Sequence, residues 1–294
     1  MPAVNSPAIL SEPPTPAELL RRHGIRARKR WGQHFLARPE TALRLVEAAG
    51  VPVQGPVVEL GAGLGTLTWA LARVYPRVIA YELDPRLLEI LQQEKFLPPW
   101  VELRPGDILR LDYRSLRNEL GAPLVVFGNL PYYLSGRLLF RFYQEHRLFS
   151  VGVFMFQREV VERLLASPGG RHYGVLSVLT GLLTEARRLM VLKPGAFYPP
   201  PEVSSAVVRL VFRPRSLPAT LWRVLKVAFS RRRKKLLRNL STLWPEEILR
   251  EIFRELGIPE KVRAEELSPE EFLELARRLE GRHPVEEAKE QAPG

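Results

Sequence analysis

At 294 residues, 46% hydrophobic and 26% charged, the chain is long enough to bury a substantial core and to divide into one large and one small domain. With 44 Lys+Arg against 32 Asp+Glu, a formal charge of +12 and a pI near 10.3, it favours a polyanionic partner, nucleic acid before membrane. The absence of cysteine excludes disulfides and thiolate chemistry and argues against a zinc site, so no metal is expected, and with neither a long apolar stretch nor a basic n-region in "MPAVNSPAILSEPPTPAELL" a cytoplasmic protein without membrane attachment is expected.

Residues 1–16 hold five prolines and little that can pack, which predicts a disordered tail. "TPAELLRRHG" reads as a short capped helix ended by Gly24. A basic stretch, "RARKRWGQHFL" (26–36), precedes a helix from Pro39 to Gly50. From there short apolar runs (Val57–Leu60, Val78–Tyr81, Val101–Leu103, Leu124–Phe127, Val151–Phe156) alternate with segments of helical spacing such as Leu67–Val74 and Arg86–Gln93. That alternation predicts βαβ units and a doubly wound parallel sheet. "REVVERLLAS" and "YGVLSVLTGLLTEARRL" then read as helices, and "EVSSAVVRLVF" (202–212) as a strand able to join the sheet antiparallel. After "RPRSLP" the pattern becomes helical, with Arg231, Arg232, Arg233, Lys234 and Lys235 placed on the first helix of a small all-α domain. The expected division is a tail over 1–16, a sheet domain over 17–214, a helical domain over 215–282 and a polar tail over 283–294.

Three glycines, Gly61, Gly63 and Gly65, lie between the first long strand and its helix in "VVELGAGLGTL". The G-x-G-x-G spacing lacks the third glycine position of a dinucleotide fingerprint, which lowers the odds of NAD. Glu82 ends the next strand, suited to bridging two ribose hydroxyls; Asp107 follows the third, suited to an exocyclic adenine amine. Taken singly, each is more often a loop carboxylate or a helix cap. Together they describe a nucleoside pocket with no phosphate cradle, which points to S-adenosylmethionine.

"GNLPYYLS" (128–135) follows the fourth apolar run, where open α/β sheets keep their ligands. Asn129 is one of only four asparagines, with Asn5, Asn118 and Asn239. Its side-chain oxygen and the Leu130 carbonyl can each accept an N–H of an adenine amine, holding the nitrogen lone pair toward a sulfonium methyl. Pro131 biases Leu130 toward an extended backbone that leaves this carbonyl unpaired. Tyr132 offers a face on which a base swung out of its stack can lie. The competing reading is a turn in which Asn129 caps the next helix while Tyr132 and Tyr133 pack.

The motifs "KRWGQHFL", "VVELGAGLGTLT", "YELDPRL", "GDIL", "GNLPYYLS", "FQREVVERLLASPGGRHYGVLSVL", "FYPPPEVSSAVV" and "FSRRRKKLLRNL", in this order, resemble those of the ribosomal RNA adenine N6-dimethyltransferase family. The resemblance covers roughly residues 26–243, by motif rather than alignment. It implies a Rossmann-like S-adenosylmethionine-dependent methyltransferase sheet with an antiparallel edge strand, joined to a small helical RNA-binding domain. For the small-subunit branch it implies dimethylation of two adjacent adenosines near the 3′ end of 16S rRNA, in the 30S subunit or its precursor. Nothing in the sequence suggests an obligate dimer, so a monomer is expected. The resemblance further implies cofactor contacts at His34, Leu36, Gly61, Glu82, Asp107 and Asn129, with Gly63 in the same loop, and a Phe197 ring facing Tyr132 across the target base. The family usually has asparagine where this sequence has His34; a side-chain contact does not carry over with the residue, whereas a backbone contact can survive.

Arg26, Arg28, Lys29 and Arg30, and the run Arg231–Lys235, are the expected phosphate contacts. Five consecutive like charges weaken the helix that carries them, which favours a phosphate partner over a merely solvated face. Three other readings stay open: a 23S rRNA adenine methyltransferase of the macrolide-resistance type, a DNA adenine methyltransferase, and an RNA-binding assembly factor without essential catalysis.

Overall fold

The computed structural model describes residues 11–28 and 31–282. The expectations for residues 1–10, Lys29, Arg30 and 283–294 lie outside the described residues. The chain opens with α1 (Pro16–Arg22), β1 (Phe35–Leu36) and α2 (Pro39–Ala49). Strands and helices then alternate: β2 (Val57–Leu60), α3 (Thr66–Ala72), β3 (Val78–Glu82), α4 (Pro85–Glu94), β4 (Val101–Pro105), α5 (Tyr113–Leu120), β5 (Leu124–Asn129), α6 (Ser135–Gln144) and β6 (Phe149–Gln157). The remainder is α7 (Arg158–Leu164), α8 (Val175–Leu183), β7 (Thr184–Leu192), β8 (Phe197–Tyr198), β9 (Ser205–Phe212), α9 (Leu221–Ala228), α10 (Leu236–Leu240), α11 (Glu246–Glu255) and α12 (Pro269–Leu279).

These elements form two compact units. One takes the described residues through Val161 together with Glu185–Arg213; the other takes Glu162–Thr184 and the described residues from Pro214 onward.

In the first unit, seven strands lie in the order β4-β3-β2-β5-β6-β9-β7. The pairs β2–β3, β3–β4, β2–β5 and β5–β6 are parallel, and β9 runs antiparallel to β6. From β2 the chain steps outward through β3 to β4, then returns to lay β5 on the other side of β2. That reversal opens a crevice at the carboxyl ends of β2 and β5, where doubly wound sheets bind ligands. Val57, Val78 and Phe127 of the strands pack with Leu45, Val46, Trp69 and Leu71 of the covering helices, all fully or nearly fully buried. Local caps fix the helix starts: Thr15 and Glu18 form a reciprocal capping box on α1, and Asp84 accepts the Arg86 amide ahead of Pro85 on α4. A second, two-stranded sheet joins β1 to β8 antiparallel, with Phe35 opposite Tyr198 and Leu36 opposite Phe197.

Two sequence expectations are corrected. "TEARRL", read as the end of a helix, is β7 at the edge of the sheet beside β9. Helix α8 stops where Thr184 turns extended (φ −140°, ψ 159°) and its hydroxyl donates to the Thr180 carbonyl at 2.8 Å. The charges that mimic a helical stripe are instead what an edge strand carries to discourage further pairing. The run Arg231–Lys235 is likewise not helical: α9 ends at Ala228 and α10 begins at Leu236. Buried Asn239 completes the break, its Nδ2 donating to the Ala228 carbonyl at 2.7 Å, left over at the helix end, and to the Arg231 carbonyl at 3.2 Å, which also accepts the Lys234 amide at 2.9 Å.

The helical unit is also built from two chain segments, where the sequence suggested one. Helix α8 packs on α12, and the Tyr173 hydroxyl donates to the Leu267 carbonyl at 2.8 Å. Gly181 is needed there because a Cβ would sit 2.9 Å from Pro269 Cγ. Ser268 and Glu271 cap α12 reciprocally. Among the described residues no helix is long and apolar enough to cross a membrane.

Asn239→Ala should destabilise the protein by about 1–3 kcal/mol, because the Ala228 carbonyl loses its donor inside the unit. Chemical denaturation checks this, and an unchanged midpoint would show that the loop closes without Asn239.

Candidate active site

The loop after β2 carries the three glycines in left-handed conformation, with φ of +83°, +58° and +79° at Gly61, Gly63 and Gly65. At Gly63 any side chain is doubly excluded, since a Cβ would also lie 2.9 Å from the Phe35 ring. The Gly61 and Ala62 amides both donate to the Tyr81 carbonyl, at 2.8 and 2.9 Å, which ties the loop to β3. A single pocket is lined by His34, Leu36, Gly61, Gly63, Glu82, Asp107 and Asn129, all seven of the expected cofactor residues, together with Trp31, Glu59 and Tyr133. Its acidic groups come from β2, from β3 and from the segment after β4.

Glu82 is 8% exposed. Its Oε2 accepts the Gly63 amide, and its Oε1 accepts the amides of Leu83 and Asp84, all at 2.8 Å. A carboxylate has about four acceptor sites, so one remains where two ribose hydroxyls were expected. Burial pushes this carboxyl above its ordinary value, and the three amide donors oppose the shift. Asp107 accepts the Leu109 amide at 2.9 Å, the loop-capping role that competes with adenine recognition in the sequence.

Asp84, fully buried, connects this turn to the basic segment. Gln33 Nε2 donates to Asp84 Oδ2 at 3.0 Å while Gln33 Oε1 accepts the Arg28 amide at 2.7 Å, and Arg86 clamps the same carboxylate. Burial works against ionised Asp84, yet the Arg86 and Gln33 hydrogen bonds hold it below the usual carboxylate range. Arg28 stacks its guanidinium on Trp31, 4.6 Å from the ring centre, and lies 3.8 Å from Asp84, so it is partly committed inside the protein.

Asn129 ends β5. Its Nδ2 donates to the His34 carbonyl at 2.7 Å. With the amide nitrogen assigned there, the acceptor Oδ1 occupies the other end of the group. Leu130 is buried, and Pro131 lines the pocket. Tyr132 hydrogen-bonds through its hydroxyl to Ser205 Oγ at 2.5 Å, and its ring stacks on His34 with centroids 5.8 Å apart and an interplanar angle of 22°. The His34 side chain is thus turned to Tyr132 and to Pro199, whose carbonyl accepts from Nδ1 at 2.8 Å. Phe197 is 3% exposed in the hydrophobic core beside Leu36, whereas its neighbour Tyr198 is 41% exposed. The ring found on Tyr132 is His34, not Phe197.

Glu59 was not singled out in the sequence. It lies in the middle of β2, fully buried at the wall of the pocket, and neither of its oxygens has a hydrogen-bond partner among the described residues. Burial pushes it up to about 8; the nearby Glu82 charge adds to the rise and the Thr68 hydroxyl opposes it. The available signal was the single acid inside the apolar run "VVEL". A buried acid without a hydrogen-bond partner, glycine amides at the end of β2, and acids at the end of β3 and just after β4 suit a cationic nucleoside better than a phosphorylated one.

In the helical unit, Arg231, Arg232, Arg233, Lys234 and Lys235 are exposed. Arg232 donates to the Arg171 and Tyr173 carbonyls, both at 3.0 Å. Arg233, Lys234 and Lys235 line a cleft with Arg238, Lys261 and Arg263, where Glu246 and Glu260 are paired to Arg250.

A family model described as ribosomal RNA adenine dimethylase matches residues 24–280. The chain belongs to this family. Among curated members, ribosomal RNA small subunit methyltransferase A of Myxococcus xanthus is 40% identical over 274 residues, covering 90% of this chain and 95% of that one. The protein of the same name from Geobacter metallireducens is 40% identical over 271 residues, covering 88% and 98%. Two solved structures share the fold. A dimethyladenosine transferase from Plasmodium falciparum has a TM-score of 0.73 at 24% identity, covering 85% of this chain and 99% of its own. The 23S rRNA methyltransferase ErmE has a TM-score of 0.61 at 25% identity, covering 83% and 99%.

The raised Glu59 pKa sets a direction for stability with pH. The unfolded chain releases this proton near 4.5 and the folded protein near 8, so the stabilisation is complete below 4.5 and is lost as pH rises toward 8. The melting temperature of the cofactor-free dimethylase-family protein should therefore fall between about pH 5 and about pH 8, and Glu59→Gln should flatten that fall. Equal slopes for the two proteins would contradict the assignment.

Proposed function

We propose that the protein transfers methyl groups from S-adenosylmethionine to the N6 atoms of two adjacent adenosines near the 3′ end of 16S rRNA, in the 30S subunit or its precursor. In this reading it acts as a cytoplasmic monomer in ribosome biogenesis. The observation that carries it is Asn129 at the mouth of the acidic pocket, with its amide nitrogen spent on the His34 carbonyl and its Oδ1 left as an acceptor.

When bound, S-adenosylmethionine supplies an electrophilic methyl group on a positively charged sulfur. Glu82, fixed by three backbone amides, would offer its remaining acceptor position to a ribose hydroxyl, and Asp107, at the pocket wall, would accept from the adenine amine of the same molecule. Glu59 stands at the wall of the pocket as a buried carboxyl that is largely protonated near neutral pH in the cofactor-free protein. The glycine loop admits the ligand against the backbone. Family membership and the donor set support this reading.

An exocyclic adenine amine is a poor nucleophile because its lone pair is delocalised into the ring. Asn129 Oδ1 and the Leu130 carbonyl, each accepting one N–H, favour the geometry in which that lone pair is localised and aimed at the methyl carbon. No base need remove a proton before attack, since the N–H becomes acidic only as the new C–N bond forms. Tyr132 offers one ring face to the flipped adenine, an interaction worth about 1–3 kcal/mol per base in nucleic-acid binders. Arg233, Lys234, Lys235 and the cleft residues Arg238, Lys261 and Arg263 neutralise RNA phosphates, while Arg232 chiefly holds the helical unit together.

Incubation with unmodified 30S particles and S-adenosylmethionine, followed by nucleoside mass spectrometry and mapping of both 16S and 23S rRNA, tests the proposal. Dimethyladenosine should appear at two adjacent positions of 16S rRNA, and Asn129→Ala should abolish it while cofactor affinity stays within about tenfold. Modification of 23S rRNA alone, or normal turnover by the variant, would contradict it.

A further inference from the structure

His34 stands where three segments meet. Its carbonyl holds the Asn129 amide, its imidazole Nδ1 donates to the Pro199 carbonyl, and its ring lies against Tyr132. The register explains the second contact. Phe35 is opposite Tyr198 and Leu36 opposite Phe197, so the next pair outward is His34 with Pro199. Proline has no N–H, and the backbone ladder stops there. The imidazole N–H continues it from a side chain, and because a carbonyl can only accept, Nδ1 carries the hydrogen.

We infer that His34 is a positioning residue for the target base, its ring backing one face of Tyr132 so that the flipped adenine stacks on the other. The inference rests on the reading of Tyr132 as the base platform. Three constraints then define the platform: the Tyr132 hydroxyl is held by Ser205, the ring is backed by His34, and His34 is itself held by Pro199. A tyrosine pinned only at its hydroxyl can still swing about its ring axis; one backed by a second ring cannot do so without breaking the stack. An asparagine at this position would keep a side-chain donor but has no aromatic face, so the backing of Tyr132 depends on the imidazole ring. The opposite possibility, that His34 fills the adenine's own place and must leave, is disfavoured because departure would break both the stack and the Nδ1 hydrogen bond.

The two arrangements predict opposite outcomes. With 30S particles as substrate, His34→Ala should lower kcat/KM by about 3- to 10-fold, in the range of a lost aromatic pair, with cofactor Kd within about threefold. His34→Phe, which keeps a ring, should recover more activity than His34→Asn, which keeps only a donor. Because His34 acts through Tyr132, adding His34→Ala to Tyr132→Ala should cost less than about twofold further. A rise in kcat/KM for His34→Ala, fuller recovery with asparagine, or multiplicative losses in the double variant would each overturn the inference. Full activity of Tyr132→Ala by itself would instead remove the base-platform reading on which it rests.

Discussion

The hydrogen bond from the Asn129 side-chain amide to the His34 carbonyl fixes which end of the amide is left for chemistry. An asparagine can offer either two donors or a carbonyl, and only the carbonyl suits an amine that must keep its lone pair for a methyl group. The sheet makes that bond possible. Strand β5 returns beside β2, so the glycine loop and the catalytic loop leave adjacent strands at the same edge, and a Cβ at Gly61 would lie 3.8 Å from the Asn129 carbonyl oxygen. The β1–β8 pairing then sets the His34 backbone beside Asn129 and its ring on Tyr132.

Charge is divided within the protein in a way that suits two ligands of opposite sign. The chain as a whole carries +12, with exposed bases that fit an RNA backbone. The pocket is lined instead by the carboxylates of Glu82 and Asp107 and by the largely protonated Glu59, with Asp84 buried behind it. Such a pocket discourages phosphates and favours a cationic nucleoside. Gln33 and Asp84 physically link the two regions, since the segment bearing Arg28 is bonded to the turn that follows Glu82.

The order of β2 to β6, the antiparallel strand β9 and the pocket residues Gly61, Glu82, Asp107 and Asn129 were legible in the sequence because local pattern carries them, whereas His34 and Leu36 came from the family resemblance. Gly61 and Glu82 directly follow short apolar runs, and Asp107 and Asn129 lie within a few residues of the next two. What was not legible depends on contacts between distant segments. "TEARRL" has helical spacing and becomes part of a strand because β9 supplies an edge. The five-base run leaves the helical state where Asn239, several residues later, satisfies the Ala228 carbonyl at the end of α9. Glu59 looks like one acid in an apolar strand until burial without a partner gives it a chemical role, and the His34 ring could not be placed on Tyr132 without the β1–β8 register.

A crystal structure with S-adenosylhomocysteine and an RNA carrying the target adenosine would show which end of the Asn129 amide meets the base. Nδ2 should remain on the His34 carbonyl, with Oδ1 within hydrogen-bonding distance of the adenine N6 and the base flat on the face of Tyr132 away from His34. An amide turned the other way, or an N6 met by some other acceptor, would contradict that arrangement.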